Sequence, residues 1–392
     1  MSWRVLVFNT GSSSVKFGVY RCNDEVALEY TGAVSGLDGQ TEVEIYAAAA
    51  RSRHTVALGC LGSEAAIRWV ANWYAEQYAG VAPVAVGHRV VHGGHRFFAA
   101  AVVTPAVRDV IAEFSCFAPL HQPRCVEALD LARELWPQAI QVACFDTAFH
   151  AAQPRVARLF ALPRRWAEAG LIRYGFHGLS FASIVRQLAE RQPELRERKW
   201  VVAHLGSGVS LCAIADGRSV ATTMGLTPLD GVPMSTRCGS IDPGVLVYLL
   251  RHAELDLDEV EHMLYYESGL KGLSMLSGDM RELLASDARE AQEAVELFAY
   301  RVQREVASLA GALQGLDVLV FTGGIGEHSP VIRERIASGL EWLGVRLDAA
   351  ANRTGKALIS RADSGVAVWV IPSDENGEIA RETYAQLRAL GG

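Results

Sequence analysis

Asn9-Thr10-Gly11-Ser12-Ser13-Ser14 and His204-Leu205-Gly206-Ser207-Gly208 decide how this chain is read. Each follows a short apolar run, Trp3 to Phe8 and Trp200 to Ala203, and each leads into a second strand-like run, Val15 to Tyr20 and Val209 to Ala215. Runs of this length broken by Gly and Ser read as hairpins with polar tips. Placing Asn9 on His204 aligns Gly11 with Gly206 and Ser12 with Ser207, at a constant offset of 195 residues, about half of the 392-residue chain. Solenoid units span only ~20–50 residues, so a repeat this long predicts duplicated domains.

Outward from the hairpins, helix and strand alternate. Ser63 to Tyr78 reads as a helix, Pro83 to Val91 contains a strand, Cys125 to Leu135 is helical and Ile140 to Phe145 is an apolar strand. In the second half Val295, Phe298, Ala299, Val302, Val306, Leu309, Ala310 and Leu313 recur mostly at spacings of three and four, which predicts one long helix with a buried stripe, stopped by Gly315. Leu316 to Phe321 reads as a buried strand running into a glycine turn, Gly323 to His328, before Ser329 caps and Pro330 starts a helix. A last strand, Val366 to Ile371, leads to Pro372-Ser373-Asp374-Glu375 and a final helix. Such α/β units place ligands at their strand-to-helix turns.

Composition narrows the function. Half of the residues are apolar, and 37 Lys and Arg against 44 Asp and Glu leave a net charge of −7, which argues against a broad footprint for nucleic acid or anionic lipid. No run approaches the ~18 apolar residues of a membrane span. The opening Met-Ser-Trp-Arg-Val-Leu-Val-Phe lacks the longer apolar stretch of a signal peptide, so a cytoplasmic location is expected. Seven cysteines without a CxxC pair argue against a disulfide framework or a structural zinc site.

The polar segments suggest phosphoryl chemistry. Three glycine turns at corresponding strand ends, Asn9 to Ser14, His204 to Gly208 and Gly323 to His328, would let backbone amides approach a phosphate or nucleoside. No GxxxxGK[ST] is present, so a Walker-type site is excluded. Lys16, just past the first turn, reads either as a charge aimed at a polyphosphate or as a solvated lysine. His88, His92 and His95 would converge only on a helix, whereas the valines and glycines around them predict strand then turn, which leaves Arg89 and its planar fork as the residue of interest. Asp146, at the end of a strand, reads equally as an N-cap and as a base or metal-linked acid. His177 is bracketed by Gly175 and Gly178, and Arg237 lies in a loop before a helix capped by Asp242 and begun by Pro243. These groups suit phosphoryl transfer; no GxSxG elbow or cysteine nucleophile motif is present.

Taken together, VLVFNTGSSSVKF, GHRVVHGG, APLHQP, FDTAFH, RYGFHG, HLGSGVS, MGLTPLDG, TRCGSIDPG, FTGGIGEHSP and SDENGEIA, in order from residue 5 to about residue 380, resemble the acetate kinase family within the acetate/propionate/butyrate kinase group. The resemblance implies an α/β fold of two duplicated actin-like (ribonuclease H-like) domains facing an active-site cleft. The expected boundaries are 1–148 plus 377–392, with a returning C-terminal helix, and 149–376 for nucleotide binding and dimerisation. It further implies a homodimer and reversible, magnesium-dependent transfer of phosphoryl from ATP to acetate, giving acetyl phosphate and ADP, with manganese as an alternative metal.

Carried over by motif, the resemblance implies that Arg89 holds the acetate carboxylate and that His177 and Arg237 face the transferring phosphoryl group. Asp146 would position an arginine or metal-bound water. Asn9 and Glu375 are the implied magnesium-side residues, Lys16 meets donor phosphates, and His121 lies near the site. Val91, Leu120, Phe176 and Pro228 would form the slot for the methyl group. For the nucleotide, the implied residues are His204, Leu205, Gly206, Ser207 and Gly208 at the phosphates, Asp279, Met280 and Arg281 at the nucleoside, and Gly324, Ile325, Gly326, Glu327 and His328 at the adenosine. Ser207, Gln122, Leu179, Phe181, Ser240, His328 and Asn376 depart from the family's usual residues. Two other readings remain, a kinase of propionate or another short-chain acid and a nucleotide sensor that transfers nothing.

Overall fold

The computed structural model describes every residue except Met1, Ser2, Ser12, Ser13, Asp38, Leu120, Glu254 and Gly392. Two serines of the first turn and Leu120 of the expected methyl slot therefore lie outside the described residues. The chain divides into two units, one of Met1–Phe149, Gly178–Ser183 and Asp374–Gly392, the other of His150–His177 and Ile184–Ser373.

The first unit holds an eight-stranded sheet of β1 (Trp3–Thr10), β2 (Ser14–Cys22), β3 (Val26–Ser35), β4 (Thr41–Ala47), β5 (Ser52–Gly59), β6 (Ala85–Val90), β7 (Ala101–Val102) and β8 (Ile140–Phe145), in the order 5-4-3-2-1-6-8-7. β1 is antiparallel to β2 and parallel to β6, and β6 is parallel to β8. Side chains alternate across β1. Leu6 and Phe8 enter a core with Ile67 and Val70 of the helix Ser63–Gln77 and Ala128 and Leu131 of the helix Gln122–Leu135. Val5 and Val7 enter another with Ile379, Ala380 and Leu387 of the closing helix Glu375–Gly391. The sheet is thus covered on both faces, which is why β8 reads as a continuous apolar run.

The second unit repeats the topology. β9 (Trp200–Leu205), β10 (Val209–Ala215), β11 (Arg218–Thr222), β12 (Val318–Thr322) and β13 (Ala367–Val370) run in the order 11-10-9-12-13, with β9 antiparallel to β10, parallel to β12, and β12 parallel to β13. This matches 3-2-1-6-8 of the first sheet in both order and direction, so the duplication expected from the two hairpins is present in the fold. The turns differ by one residue. Thr10 pairs with Val15, but Leu205 pairs with Val209, so Asn9 faces Lys16 while His204 faces Ser210. The place of the first unit's lysine is taken in the second by a buried hydroxyl.

The long helix runs from Arg289 to Leu313 and buries all eight residues of the expected stripe. Its end falls one residue earlier than Gly315, because Gln314 itself takes the left-handed conformation (φ 57°). Gly323 to His328 is a one-and-a-half-turn helix rather than a turn. The Glu327 carboxylate folds back to accept from the Gly323 amide at 2.9 Å and the Ser373 amide at 3.1 Å, closing the ends of β12 and β13 together.

Candidate active site

In an α/β sheet of this connectivity the C-terminal ends of the parallel strands collect polar groups. In the first unit those ends carry Asn9 on β1, Arg89 on β6 and Asp146 directly after β8, and Glu375 begins the closing helix. Arg89 donates from Nε (3.0 Å) and Nη2 (2.6 Å) to one oxygen of Asp146, Oδ2, and from Nη1 to Asn9 Oδ1 at 3.3 Å. Asn9 Nδ2 in turn donates to Glu375 Oε2 at 2.7 Å. Three of the five guanidinium N–H groups are engaged in this way, which leaves two for a ligand.

Asp146 is 1% exposed and Arg89 15%. Burial pushes the Asp146 carboxyl up, opposed by the adjacent guanidinium, and Glu375 adds to the upward push. Burial alone would lower Arg89, but the negative charges of Asp146 and Glu375 outweigh it and raise the group. Arginine stays charged at any physiological pH, so the pair is an ion pair in a dry setting, where removing one partner is far more damaging than removing both. Asp146 is not an N-cap, since Oδ2 is committed to Arg89. Its Oδ1 is buried and has no hydrogen-bond partner among the described residues. An orphaned carboxylate oxygen beside a second carboxylate and an amide is a hard, all-oxygen donor set of the kind magnesium takes.

The second unit holds His177, His204, Ser210 and Arg237. His177 Nδ1 lies 2.8 Å from Ser210 Oγ, and its ring stacks on His204 with centroids 4.3 Å apart. Arg237 Nη1 donates to the Pro228 carbonyl at 2.7 Å. A Cβ built on Gly208 would stand 3.2 Å from both Arg237 Nη2 and His177 Nε2, so the two cationic or donor tips converge over the glycine turn. That turn is itself anchored, with the Ser235 amide donating to the Ser207 carbonyl at 3.2 Å.

Other expected residues are placed differently. Lys16 is exposed on β2. Val91 is buried in the first unit; Phe176 and Pro228 are buried in the second. Asp279 caps the helix Met280–Ala285 through the Arg281 amide and also pairs with the Arg281 guanidinium, while Met280 is buried. Gly326 is buried, Gly324 and His328 are exposed, and Glu327 is taken up by the backbone bonds described above. The three clustered histidines have separate surroundings. His88 bonds Gln141 and burial lowers it to about 4, His92 Nδ1 accepts from the Gly94 amide, and His95 is exposed. His121 stands at the N-cap position of the helix Gln122–Leu135.

Two neighbours of the expected site residues escaped the sequence reading. Ser210 lies inside HLGSGVS, and its pairing with His204 would have placed it beside the site had the shorter second turn been counted. Gln122, noted only as a departure, holds the His92 backbone from both sides, accepting from its amide at 3.0 Å and donating to its carbonyl at 2.9 Å.

Comparison with known proteins supplies the family. The chain matches the Acetokinase family over residues 4–381. It is 46% identical over 398 residues to a Methylocella silvestris protein named acetate kinase, covering 99% of this chain and 98% of that one. Among solved structures, a Francisella tularensis propionate kinase superposes with a TM-score of 0.89 at 34% identity (98% of this chain, 99% of that chain). A Porphyromonas gingivalis acetate kinase superposes with a TM-score of 0.85 at 31% identity (98% and 100%). With a duplicated sheet, a buried arginine fork and a histidine and arginine meeting over a glycine turn, all within a nearly full-length match, the chain belongs to the acetokinase family.

Proposed function

We propose that this chain catalyses reversible transfer of the γ-phosphoryl group of ATP to acetate, giving acetyl phosphate and ADP by direct in-line displacement. The observation that carries the reading is Arg89, held by a buried carboxylate and an amide with two N–H groups left over, as recognition of a small carboxylate requires.

Acetate is ionised at neutral pH and needs no base to attack. An acetate oxygen forms a bond to the γ-phosphorus, the bond from that phosphorus to the β,γ-bridging oxygen breaks, and ADP leaves with the electron pair. In-line displacement puts attacking and leaving oxygens on opposite sides of one phosphorus, so acceptor and donor are bound together. Arg237 and His177 Nε2 meet the equatorial oxygens, whose charge grows in the transition state. For Nε2 to donate there, Nδ1 must accept, which the Ser210 hydroxyl 2.8 Å away provides for. The turn His204 to Gly208 takes the donor phosphates, with Lys16 a further cation for them; Asp279 to Arg281 and Gly324 to His328 flank the nucleoside. Asn9, Asp146 and Glu375 would hold magnesium or manganese, which when bound neutralises phosphate charge. Catalysis then rests on alignment and charge, and no protein nucleophile is required.

Purified protein with ATP, magnesium and acetate is expected to release ADP and to form an acyl phosphate trapped by hydroxylamine. ATP binding without ADP release would instead favour the sensor reading. A second reading, propionate kinase, draws on the Francisella relative's name. Buried Val91 limits the acyl slot in our reading. Val91→Ala is expected to raise the propionate-to-acetate ratio of kcat/KM within the ~10–200-fold that one methylene commands. An unchanged ratio would remove Val91 from the slot.

The working form we propose is a cytoplasmic homodimer. No helix among the described residues is long and apolar enough to cross a membrane. The helix Pro243–His252 has no buried residue although Val247 (48% exposed) and Tyr248 (62%) lie on it, and an apolar helix left uncovered suits a second copy of the chain. Light scattering is expected to give twice the chain mass and Tyr248→Glu to lower it; a monomer at micromolar concentration would contradict the proposal.

A further inference from the structure

FDTAFH ends in a histidine to which the proposed mechanism gives no part. His150 is 1% exposed and sits in the second unit among Gln153, Cys212 and Ser219, all buried. Its Nε2 lies 2.9 Å from the Phe176 carbonyl, its Nδ1 2.9 Å from Ser219 Oγ, and Gln153 Nε2 donates to the same Ser219 oxygen at 2.9 Å. The directions of these bonds follow from chemistry. A carbonyl only accepts, so Nε2 carries the proton; Nδ1 is then an acceptor and takes the Ser219 hydroxyl proton; Ser219 accepts from Gln153. The chain has one polarity, from Gln153 through Ser219 and His150 to the carbonyl of Phe176. Burial lowers His150 to about 4, so the ring stays neutral.

What the chain holds is the residue immediately before His177. His177 has left-handed backbone geometry (φ 57°, ψ 25°), a conformation uncommon outside glycine, so its neighbours matter to how the ring is aimed. Gly175, also left-handed (φ 76°), packs so closely that a Cβ there would come within 2.7 Å of the His150 ring and 2.5 Å of Thr222 Cγ2. The glycine before His177 therefore admits the His150 ring and not a ligand. The backbone of the Gly175-Phe176-His177 segment is fixed from one side by His150, and the His177 ring is fixed from the other by Ser210.

We propose that His150, oriented by Ser219 and Gln153, is a positioning residue that sets the backbone of Phe176–His177 and so aims His177 Nε2 over the Gly208 turn. This rests on the phosphoryl-facing role given to His177 above. His150 touches neither substrate nor phosphoryl group. Its influence is on alignment in the reacting complex, where a displacement of about 1 Å lowers the rate ~10²-fold. Cys212, 3.2 Å from Ser219 Oγ and raised to about 12 by burial, is inert packing beside the chain.

Steady-state kinetics of His150→Phe, His150→Gln, Ser219→Ala and His177→Ala test this. His150→Phe fills the space without a donor and is expected to lose kcat about 10²-fold with KM for acetate and ATP unchanged. His150→Gln offers an amide N–H near the position of Nε2 and is expected to recover most of the loss, which a purely space-filling role would not produce. Ser219→Ala keeps the ring but frees its tautomer and is expected to fall between. Wild-type kcat in His150→Phe, or Gln no better than Phe, overturns the proposal. Should His150→Phe not fold, Ser219→Ala decides, a wild-type kcat overturning the proposal and a kcat loss at constant KM supporting it. Loss of activity in His177→Ala with none in the His150 and Ser219 variants would defeat positioning alone. Full activity in His177→Ala would defeat the phosphoryl-facing role together with everything built on it.

Discussion

Arg237→Ala is expected to lower kcat by ~10³-fold or more, the loss typical of an arginine that meets a transferring phosphoryl group. The corresponding barrier increase is about 4 kcal/mol. The effect should fall mainly on catalysis because the loop around Arg237 is held at several points by its backbone. The Met234 amide donates to the Arg237 carbonyl at 3.0 Å, the Ser268 amide to Thr236 at 3.0 Å, the Cys238 amide to Leu264 at 3.1 Å and the Leu270 amide to Met234 at 2.8 Å. Truncation beyond Cβ leaves these backbone bonds in place and removes the side chain's bond to Pro228 O. Thermal stability should therefore change little while ADP formation collapses. Arg237→Lys should not recover the rate, since a flexible ammonium lacks the planar fork whose one nitrogen holds the Pro228 carbonyl while the other is aimed at a phosphoryl oxygen. A kcat within tenfold of wild type in the alanine variant would refute the assignment.

Arg89→Ala should show a second large effect, with an unusual dependence on pH. Two charge-assisted bonds to acetate, each worth about 1.5–3 kcal/mol, predict a rise in acetate KM of ~10²-fold or more. The same change strands Asp146, whose carboxylate is buried with no other cation bonded to it. Breaking such a pair is expected to destabilise the fold by about 3–5 kcal/mol while the orphan stays ionised. Burial already pushes Asp146 up, and without Arg89 nothing opposes it, so its folded pKa lies above the unfolded value of about 3.9. Between those two values the folded state binds more protons than the unfolded one, and stability then falls as pH rises. The deficit of Arg89→Ala relative to wild type should accordingly grow as pH rises from about 4, the unfolded carboxyl value, toward 8. A melting-temperature difference that stays constant across that range would contradict the account.

The sequence disclosed the duplicated core because strands buried on both faces must be continuously apolar and their glycine turns stand out against them. The outer strands of the first sheet were harder. β5 is almost wholly exposed and β3 is half-buried from Val26 to Ala33, so neither carries a period-two contrast there. β4 does carry one, with Thr41, Val43 and Ile45 inward and Glu42 and Glu44 outward, but the sequence reading passed over it. At the site, residue types pointed to Arg89, Asp146, His177 and Arg237, but their partners did not follow from spacing. Arg89 and Asp146 are 57 positions apart and meet because β6 and β8 are parallel and in register. Ser210 reaches His177 only because the second turn is a residue shorter than the first. Gly323 to His328 looked like a turn because three glycines disfavour a helix, and the helix forms because Glu327 supplies the acceptor that its first amide lacks.

The closing helix that covers Val5, Val7, Ala85, Val142 and Cys144 leaves the ribosome only after the whole second unit has been made. Elongation at about 5–20 residues per second leaves that apolar face bare for on the order of ten seconds or more after β8 emerges, while the whole second unit is being made. The first-synthesised sheet thus finishes folding only after the later unit has emerged. A stop codon in place of Asn376 would spare His177 and Arg237, yet it would leave the earliest strands without their cover on that face.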